Sequence, residues 1–219
     1  MFKSIAVLLV FAAATVAPAF ADSLLPGATI TATPLSFAGS SCCLAPIITG
    51  SIDNESFMVD YTAYVFTGDT NNPFGTSEVD FAYKFHNKNA TVVTALEAFN
   101  FGSYLLNVGF QDAVPNNTPE FDPETESRTA NGNIVSFSFD SPMGTEDWFS
   151  DLLLIQTNAT SFTTGTLRLD GKGVSADVAG YVPAGPTTSP VPEPSSLVLF
   201  GSGLVGAASV LHRKSLSVV

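Results

Sequence analysis

Side chains that could carry out catalysis are few in this sequence, and they are poorly placed for it. A Ser/His/Asp triad would have to use His86, which lies between Lys84 and Lys88 in a segment that alternates like a strand. The chain has no Gly-x-Ser-x-Gly elbow and no His-Glu-x-x-His motif. We therefore interpret His86 as a solvated sheet residue, and we predict no catalytic residue and no enzymatic activity.

The acidic residues form two groups along the chain, and each group could supply an acid/base pair of carboxyls or the oxygen ligands of a metal ion. Glycosidases need two carboxyls at a fixed separation, and Ca²⁺ needs several oxygen ligands. The first group lies in a Pro-rich segment, which we interpret as a solvated acidic loop, and the Asp-x-Asp-x-Asp-Gly spacing is missing. We predict no metal site and no cofactor, and we keep calcium binding as an alternative. The two groups are Glu120, Asp122, Glu124 and Glu126, and Glu146-Asp147.

Trp148 and Phe149 form an aromatic pair directly after the second acidic group. Such a pair could form a sugar-stacking platform on the surface of a β-sandwich. The alternative is that Trp148 covers the end of the core, just before the apolar run at residues 152–155. We favour the core position, because large aromatic side chains dominate the apolar area that a fold buries.

Cys42 and Cys43 are the two cysteines of the chain, and they are adjacent. Sequential Cα atoms are about 3.8 Å apart, whereas most disulfides need at least about 4.4 Å, so a bridge between them would be strained. A strained ring, bonds to another chain and reduced thiols all stay open.

The N-terminus has the three parts of a secretory signal peptide. A short positive start with Lys3 precedes an apolar core at residues 5–16, and Ala19-Phe20-Ala21 gives a small-x-small cleavage site before Asp22. We expect cleavage between Ala21 and Asp22, with Ala19 and Ala21 as the recognised small residues. Residues 1–21 are therefore excluded from the fold.

The C-terminus is also tripartite. Pro192-Glu193-Pro194 is followed by an uncharged apolar run at residues 195–211 and then by His212-Arg213-Lys214. A helix over the run would span about 25 Å, the short end of what a bilayer accepts. The basic residues Arg213 and Lys214 predict a transmembrane stop, with the tail at residues 212–219 in the cytoplasm and the preceding chain outside.

This tail resembles the PEP-CTERM sorting domain of Gram-negative bacterial exported proteins, in the triplet, the glycine-containing helix and the basic end. The resemblance implies recognition by an exosortase, a membrane-embedded protease-transpeptidase, with Pro192, Glu193 and Pro194 as the sorting signal. It also implies anchoring in the inner membrane before processing, followed by release to the cell envelope or the extracellular matrix. A plain tail anchor is the alternative interpretation.

The charge of the exported part limits its partners. The chain has 20 acidic and 8 basic residues, and without Glu193, Lys3, Arg213 and Lys214 the exported part has a formal net charge of −14. Such a surface repels the phosphates of nucleic acids and the head groups of anionic lipids. We therefore exclude nucleic acid as a partner and relate the charge to solubility outside the cell.

The sequence pattern of the exported part predicts β-strands. Period-two alternation of apolar and polar residues marks strands with one buried face, and an apolar run marks a strand buried on both faces. We predict an all-β antiparallel sandwich of about eight or nine strands over residues 22–183, followed by a Pro-rich linker at residues 184–194. The predicted strands lie at residues 47–53, 57–65, 79–86, 91–101, 104–110, 135–140, 150–157, 164–169 and 173–181.

The body also resembles a group of small exported domains that precede this sorting signal and that imply no particular activity. Three motifs carry the resemblance: Tyr64-Val65-Phe66-Thr67-Gly68-Asp69, Asn72-Pro73-Phe74-Gly75, and residues 150–159. Two functions fit the sequence. The first is a non-catalytic surface or matrix protein, and the second is a carbohydrate- or calcium-binding module of the exopolysaccharide matrix. Extracellular polysaccharide is accordingly a candidate partner of either.

Overall fold

The computed structural model describes residues 23–38, 43–54, 57–88, 93–111, 120–139, 148–171 and 173–185. The chain divides into two compact units, Met1–Gly185 and Pro186–Val219, and the second lies outside the described residues. The same holds for the predicted signal peptide and the predicted transmembrane helix. Among the described residues, no helix is long and apolar enough to cross a membrane.

The described residues form an all-β fold of two sheets. The strands are β1 (Thr29–Thr31), β2 (Ile48–Asn54), β3 (Phe57–Phe66), β4 (Asp80–Asn87), β5 (Val93–Ala98), β6 (Leu106–Gln111), β7 (Glu120–Phe121), β8 (Thr125–Arg128), β9 (Val135–Ser138), β10 (Trp148–Ser150), β11 (Leu152–Thr157), β12 (Phe162–Gly171) and β13 (Val174–Pro183).

Sheet I contains seven strands and sheet II contains six. In sheet I, β2, β3 and β4 are neighbours, and β4 then pairs with β10 at one end and with β11 at the other. The order in sheet II is β1-β8-β9-β5-β12-β13. Pairing is antiparallel throughout, except for the short parallel pair β10–β7.

The main core lies between the two sheets. Alternate residues of β3 and β4 point into it from sheet I, and alternate residues of β5, β9 and β12 meet them from sheet II, as period-two alternation requires. The Tyr83 hydroxyl donates to the Tyr181 carbonyl oxygen at 2.7 Å, which ties β4 to β13. The predicted all-β sandwich architecture is therefore confirmed.

The number of strands was predicted too low. All nine predicted segments contain a strand, and the structure adds β1, β7 and β8 and divides the segment at residues 150–157. These added strands have two to four residues, too few to show a period in the sequence. The division falls at Asp151, whose N–H donates to the Phe121 carbonyl oxygen at 3.1 Å and leaves β10 and β11 as separate strands.

The outer face of sheet I is also covered at one end, which the alternation did not predict. Residues 33–38, here called the strap, run across it beside β6. Leu35 N–H donates to the Phe110 carbonyl oxygen at 2.7 Å, and the Phe37 ring contacts the Phe66 ring edge-on at 4.9 Å. Beneath the strap, Phe66, Ala82 and Leu154 form a second apolar cluster, here called the outer patch.

Gly109 lets the strap approach the sheet. It lies on β6 directly opposite Leu154, and a Cβ at this position would overlap Leu35 Cγ and would lie 2.5 Å from the Thr33 carbonyl oxygen. Because one of these atoms belongs to the backbone, a rotamer change cannot relieve the overlap. The glycine is required by the packing of the strap.

We expect Gly109→Ala to displace the strap and to lower the free energy of unfolding by about 1–3 kcal/mol, as overpacking does in other interiors. Gly102→Ala is the matched control, since its Cβ would meet the nearest heavy atom at an ordinary 3.5 Å. Urea unfolding measures both variants. Equal stability of the two would contradict the close packing of the strap.

Candidate functional site

The three motifs that carry the resemblance of the body converge on one buried polar site. The site, here called the carboxyl cluster, lies under the loop between β3 and β4 and next to the strap. Its side chains are buried, with at most 8% of each exposed. The members are Asp69, Asn72, Asp80, Asn107 and Gln156.

A row of polar residues crosses three strands and forms the floor of the cluster. Asp80 of β4 lies opposite Gln156 of β11, and Gln156 lies opposite Asn107 of β6. Asn107 Nδ2 donates to Gln156 Oε1 at 2.7 Å, and Gln156 Nε2 donates to Asp69 Oδ2 at 2.7 Å. The row therefore connects the edge of sheet I to the loop above it.

The loop supplies the other two members through side-chain turns. Asp69 Oδ1 accepts from Asn71 N–H at 2.8 Å, and Asn72 Oδ1 accepts from Phe74 N–H at 2.8 Å. These are the local bonds that Asp and Asn make in turns. Asn72 Nδ2 then reaches down and donates to Asp80 Oδ1 at 2.7 Å, so that the loop is fixed to β4.

The strap is attached to the same carboxylate. Ala38 N–H donates to Asp69 Oδ1 at 3.0 Å. Asp69 therefore accepts hydrogen bonds from the strap, from its own loop and from β11, three parts of the chain that are distant in sequence. Its role in this geometry is to hold backbone segments together.

Asp80 is held in its neutral form. Burial raises the pKa of Asp80 to about 8, and the negative charge of Asp69 adds to the rise, while the Asn72 hydrogen bond opposes it. Asp80 Oδ2 receives no hydrogen bond from an N–H or hydroxyl of the described residues, and the Asp80 carboxyl lies within hydrogen-bonding reach of Asp69. A proton on the Asp80 carboxyl accounts for both observations.

A second buried carboxyl corrects the prediction of a solvated acidic loop. Glu126 lies on β8 with its side chain fully buried, whereas Asp122 and Glu124 are exposed as predicted. Burial raises the pKa of Glu126 to about 8, and the Thr33 backbone opposes part of the rise. Residues 125–128 form a strand next to β9, and this pairing turns the side chain inward.

Arg128 lies two residues after Glu126 on β8, on the same buried face, and its side chain holds several backbone segments together, an arrangement here called the clamp. Its guanidinium donates to four backbone carbonyl oxygens: those of Gly132 at 2.9 Å, Leu24 at 3.0 Å, Phe101 at 2.7 Å and Tyr104 at 2.9 Å. These carbonyls come from the N-terminal segment and from two loops. The planar fork of an arginine suits such a set of acceptors.

Trp148 is a core residue, so it cannot serve as the sugar platform. Its side chain is 0% exposed and contacts the rings of Phe85, Phe121 and Phe139. Phe149 points to the outer face of sheet I, where its half-buried ring stacks on His86 at 3.9 Å. His86 is thus a half-buried residue of β4, in the strand position that the sequence predicted.

The remaining predicted residues lie outside the described part of the chain. This applies to Ala19, Ala21 and Asp22, to Pro192, Glu193 and Pro194, to Arg213 and Lys214, and to Cys42 and Glu146-Asp147. Cys43 is described, and it packs against the outer patch. Within the described ranges, no group of three or more His, Cys, Asp or Glu side chains is placed to hold a metal ion.

Comparison with known proteins identifies the tail. Residues 190–214 match the PEP-CTERM protein-sorting motif. The chain therefore carries a PEP-CTERM sorting motif. The matched range includes the Pro192-Glu193-Pro194 triplet and the basic pair Arg213-Lys214. No curated protein and no solved structure matches the chain.

The PEP-CTERM motif indicates exosortase-dependent sorting of an exported protein. It also implies processing by an exosortase in a membrane. The β fold described above precedes this motif in the chain, with Gly185 as the last described residue.

Proposed function

We propose that this chain is a non-catalytic surface or matrix protein, which an exosortase releases from the inner membrane to the cell envelope or the extracellular matrix. The match of residues 190–214 to the sorting motif is the observation that carries the proposal. The β fold is the cargo that reaches the outside. Residues 195–211 hold it in the membrane until the tail is processed near Pro192-Glu193-Pro194.

The position of the unusual carboxyls supports a passive cargo. A general acid or base must come within hydrogen-bonding reach of its substrate. Asp80 and Glu126 have the raised pKa values that often mark catalytic groups, yet both side chains are 0% exposed. Buried in this way, the two carboxyls contact only the interior of the fold, where their protonation can affect its stability.

The test compares cells with and without the exosortase. We expect the chain from exosortase-positive cells to lack residues 197–219 and to appear beyond the inner membrane. Without the enzyme, the intact tail should stay in the inner-membrane fraction. Fractionation followed by mass spectrometry of the C-terminus measures both.

A Pro192→Ala/Glu193→Ala/Pro194→Ala variant should behave in exosortase-positive cells like the wild type in cells without the enzyme. Thr187→Ala/Thr188→Ala is the matched control, because it alters the linker and leaves the triplet intact. An intact tail in both strains would contradict the sorting proposal.

A carbohydrate-binding module of the matrix is the second candidate. The observation in its favour is the half-buried Phe149 ring on the outer face of sheet I, stacked on His86, with Lys84 Nζ at 5.5 Å from the ring centroid. Retention of the chain on immobilised extracellular polysaccharide, and its loss in Phe149→Ala, would favour this candidate. Equal retention of the two proteins would exclude Phe149 as the contact, and no retention of the wild type would favour the non-catalytic surface or matrix protein.

A further inference from the structure

The strap and the carboxyl cluster form one structural unit on the outer face of sheet I. The polar row Asp80–Gln156–Asn107 lies beside an apolar row, Ala82–Leu154–Gly109, in the same three strands. The strap covers the apolar row, and the N–H of its last described residue, Ala38, is bonded to Asp69 above the polar row. Whatever holds Asp69 in place therefore also holds the end of the strap.

The hydrogen bonds of the two carboxyls leave one oxygen without a donor. Asp69 Oδ1 accepts from Ala38 and Asn71, and Asp69 Oδ2 accepts from Gln156. Asp80 Oδ1 accepts from Asn72, while the fully buried Asp80 Oδ2 receives no donor from the described residues. If Asp80 Oδ2 carries a proton, it can donate a hydrogen bond to the Asp69 carboxylate. If both carboxyls are ionised, neither can donate and this hydrogen bond is lost.

We propose that Asp69 and Asp80 share one proton, and that this proton is a latch which keeps the strap closed over the outer patch. Loss of the proton places two negative charges side by side in a site that water does not reach. The repulsion is relieved when the loop with Asp69 moves away from β4, and the strap then loses the acceptor of Ala38 N–H. Alkaline pH therefore opens the strap and exposes Phe66, Ala82 and Leu154.

The surroundings contain no described cation that would neutralise the pair. The groups that face Asp80 are the side chains of Asp69 and Asn72 from the loop, the side chain of Gln156 from β11, and the backbone of Thr157. The strap, residues 33–38, has no ionisable side chain. Cys43 and Tyr64 are the titratable groups at the outer patch, and both lie against its apolar side chains.

The amide donors favour a proton over a metal ion as the occupant. Asn72 and Gln156 turn N–H groups, not oxygens, toward the two carboxyls. The Asn72 orientation is fixed, because its Oδ1 accepts from Phe74 N–H. A calcium ion would need these oxygen ligands to face it, and it would repel the amide hydrogens.

Hydrogen exchange of the full chain, measured by mass spectrometry on peptides that cover the strap, tests the latch. Rates are corrected for the intrinsic effect of pH, and strap protection is compared with that of β12–β13. The pKa of Asp80 is 3.8 when the carboxyl is exposed and about 8 in the closed site, so strap protection should fall by up to about a hundredfold between pH 6 and pH 9, with most of the loss below pH 8. Asp80→Asn should keep the strap protected at both pH values, because its amide N–H donates to Asp69 without titrating.

Glu126→Gln is the second comparison, since Glu126 is the other buried carboxyl with a raised pKa and lies at the Thr33 backbone, where the strap begins, away from Asp69 and Asp80. Its strap should open at alkaline pH as in the wild type. Equal strap protection at pH 6 and pH 9 in the wild type would overturn the proposal. So would restoration of protection at pH 9 by added calcium chloride, because the pair would then be a cation site. None of these outcomes depends on sorting of the tail.

Discussion

Arg128→Met should unfold the β module, or lower its free energy of unfolding by more than about 4 kcal/mol. Methionine fills a similar volume but donates no hydrogen bond, so the bonds from Arg128 to the carbonyls of Leu24, Phe101, Tyr104 and Gly132 are lost. An acceptor left unsatisfied in an interior costs about 1–3 kcal/mol. The Phe101 carbonyl oxygen still accepts from Tyr104 N–H at 3.2 Å, so three acceptors lose a partner that no other described donor replaces, and three such losses amount to much of the stability of a domain of this size.

Urea unfolding followed by tryptophan fluorescence measures this effect, since Trp148 is the only tryptophan of the chain and lies in the core. Arg168→Met is the matched control, because Arg168 pairs with Asp177 on an exposed part of β12–β13. It should barely change the midpoint. Arg128→Lys should fall between the two, since an ammonium keeps the charge but lacks the fork. Similar midpoints for Arg128→Met and Arg168→Met would contradict the clamp.

The β module should be more stable at pH 5 than at pH 8. The pKa of Asp80 rises from 3.8 to about 8 on folding, and that of Glu126 rises from 4.5 to about 8. A group with a raised pKa contributes stability that is complete below the unfolded pKa and is lost as pH rises through the folded one. Each carboxyl contributes a slope of at most about 1.4 kcal/mol per pH unit within this window.

Thermal unfolding at a series of pH values, for the wild type and for Asp80→Asn/Glu126→Gln, measures this loss. The midpoint of the wild type should fall from pH 5 to pH 8, and that of the double variant should fall much less. The single variants should each remove part of the slope, because the two carboxyls lie in separate sites. A wild-type midpoint that rises over this range would show that neither carboxyl is protonated in the fold.

The sequence predicted the regular part of the fold well, because alternation reflects which side chains a sheet buries. The inward positions Val59, Ala63 and Val65 of β3 are buried as their period indicates. The short strand β8 was missed, because residues 125–128 place Glu126 and Arg128 at the buried positions. A polar pair at inward positions does not look like a strand, although both side chains complete the interior.

The carboxyl cluster was only partly visible in the sequence. Asp69 and Asn72 belong to two of the motifs that carry the resemblance of the body, and Gln156 lies in the predicted strand at residues 150–157. Their convergence depends on the register that places Asp80 opposite Gln156, which no local pattern specifies. The usable signal was Gln156 itself, a polar side chain at the end of an apolar run, which implies a buried partner.

The position of the first described residues has a consequence for the predicted cleavage of the leader. Ser23 pairs with Asn107, and Leu24 N–H donates to the Leu106 carbonyl oxygen at 2.9 Å, one residue after the expected cut between Ala21 and Asp22. A peptidase needs several extended residues in its groove, and residues that are already paired in a sheet cannot supply them. We therefore expect removal of the predicted leader to precede closure of the sheets, so that maturation would be a step of translocation and not of the assembled product.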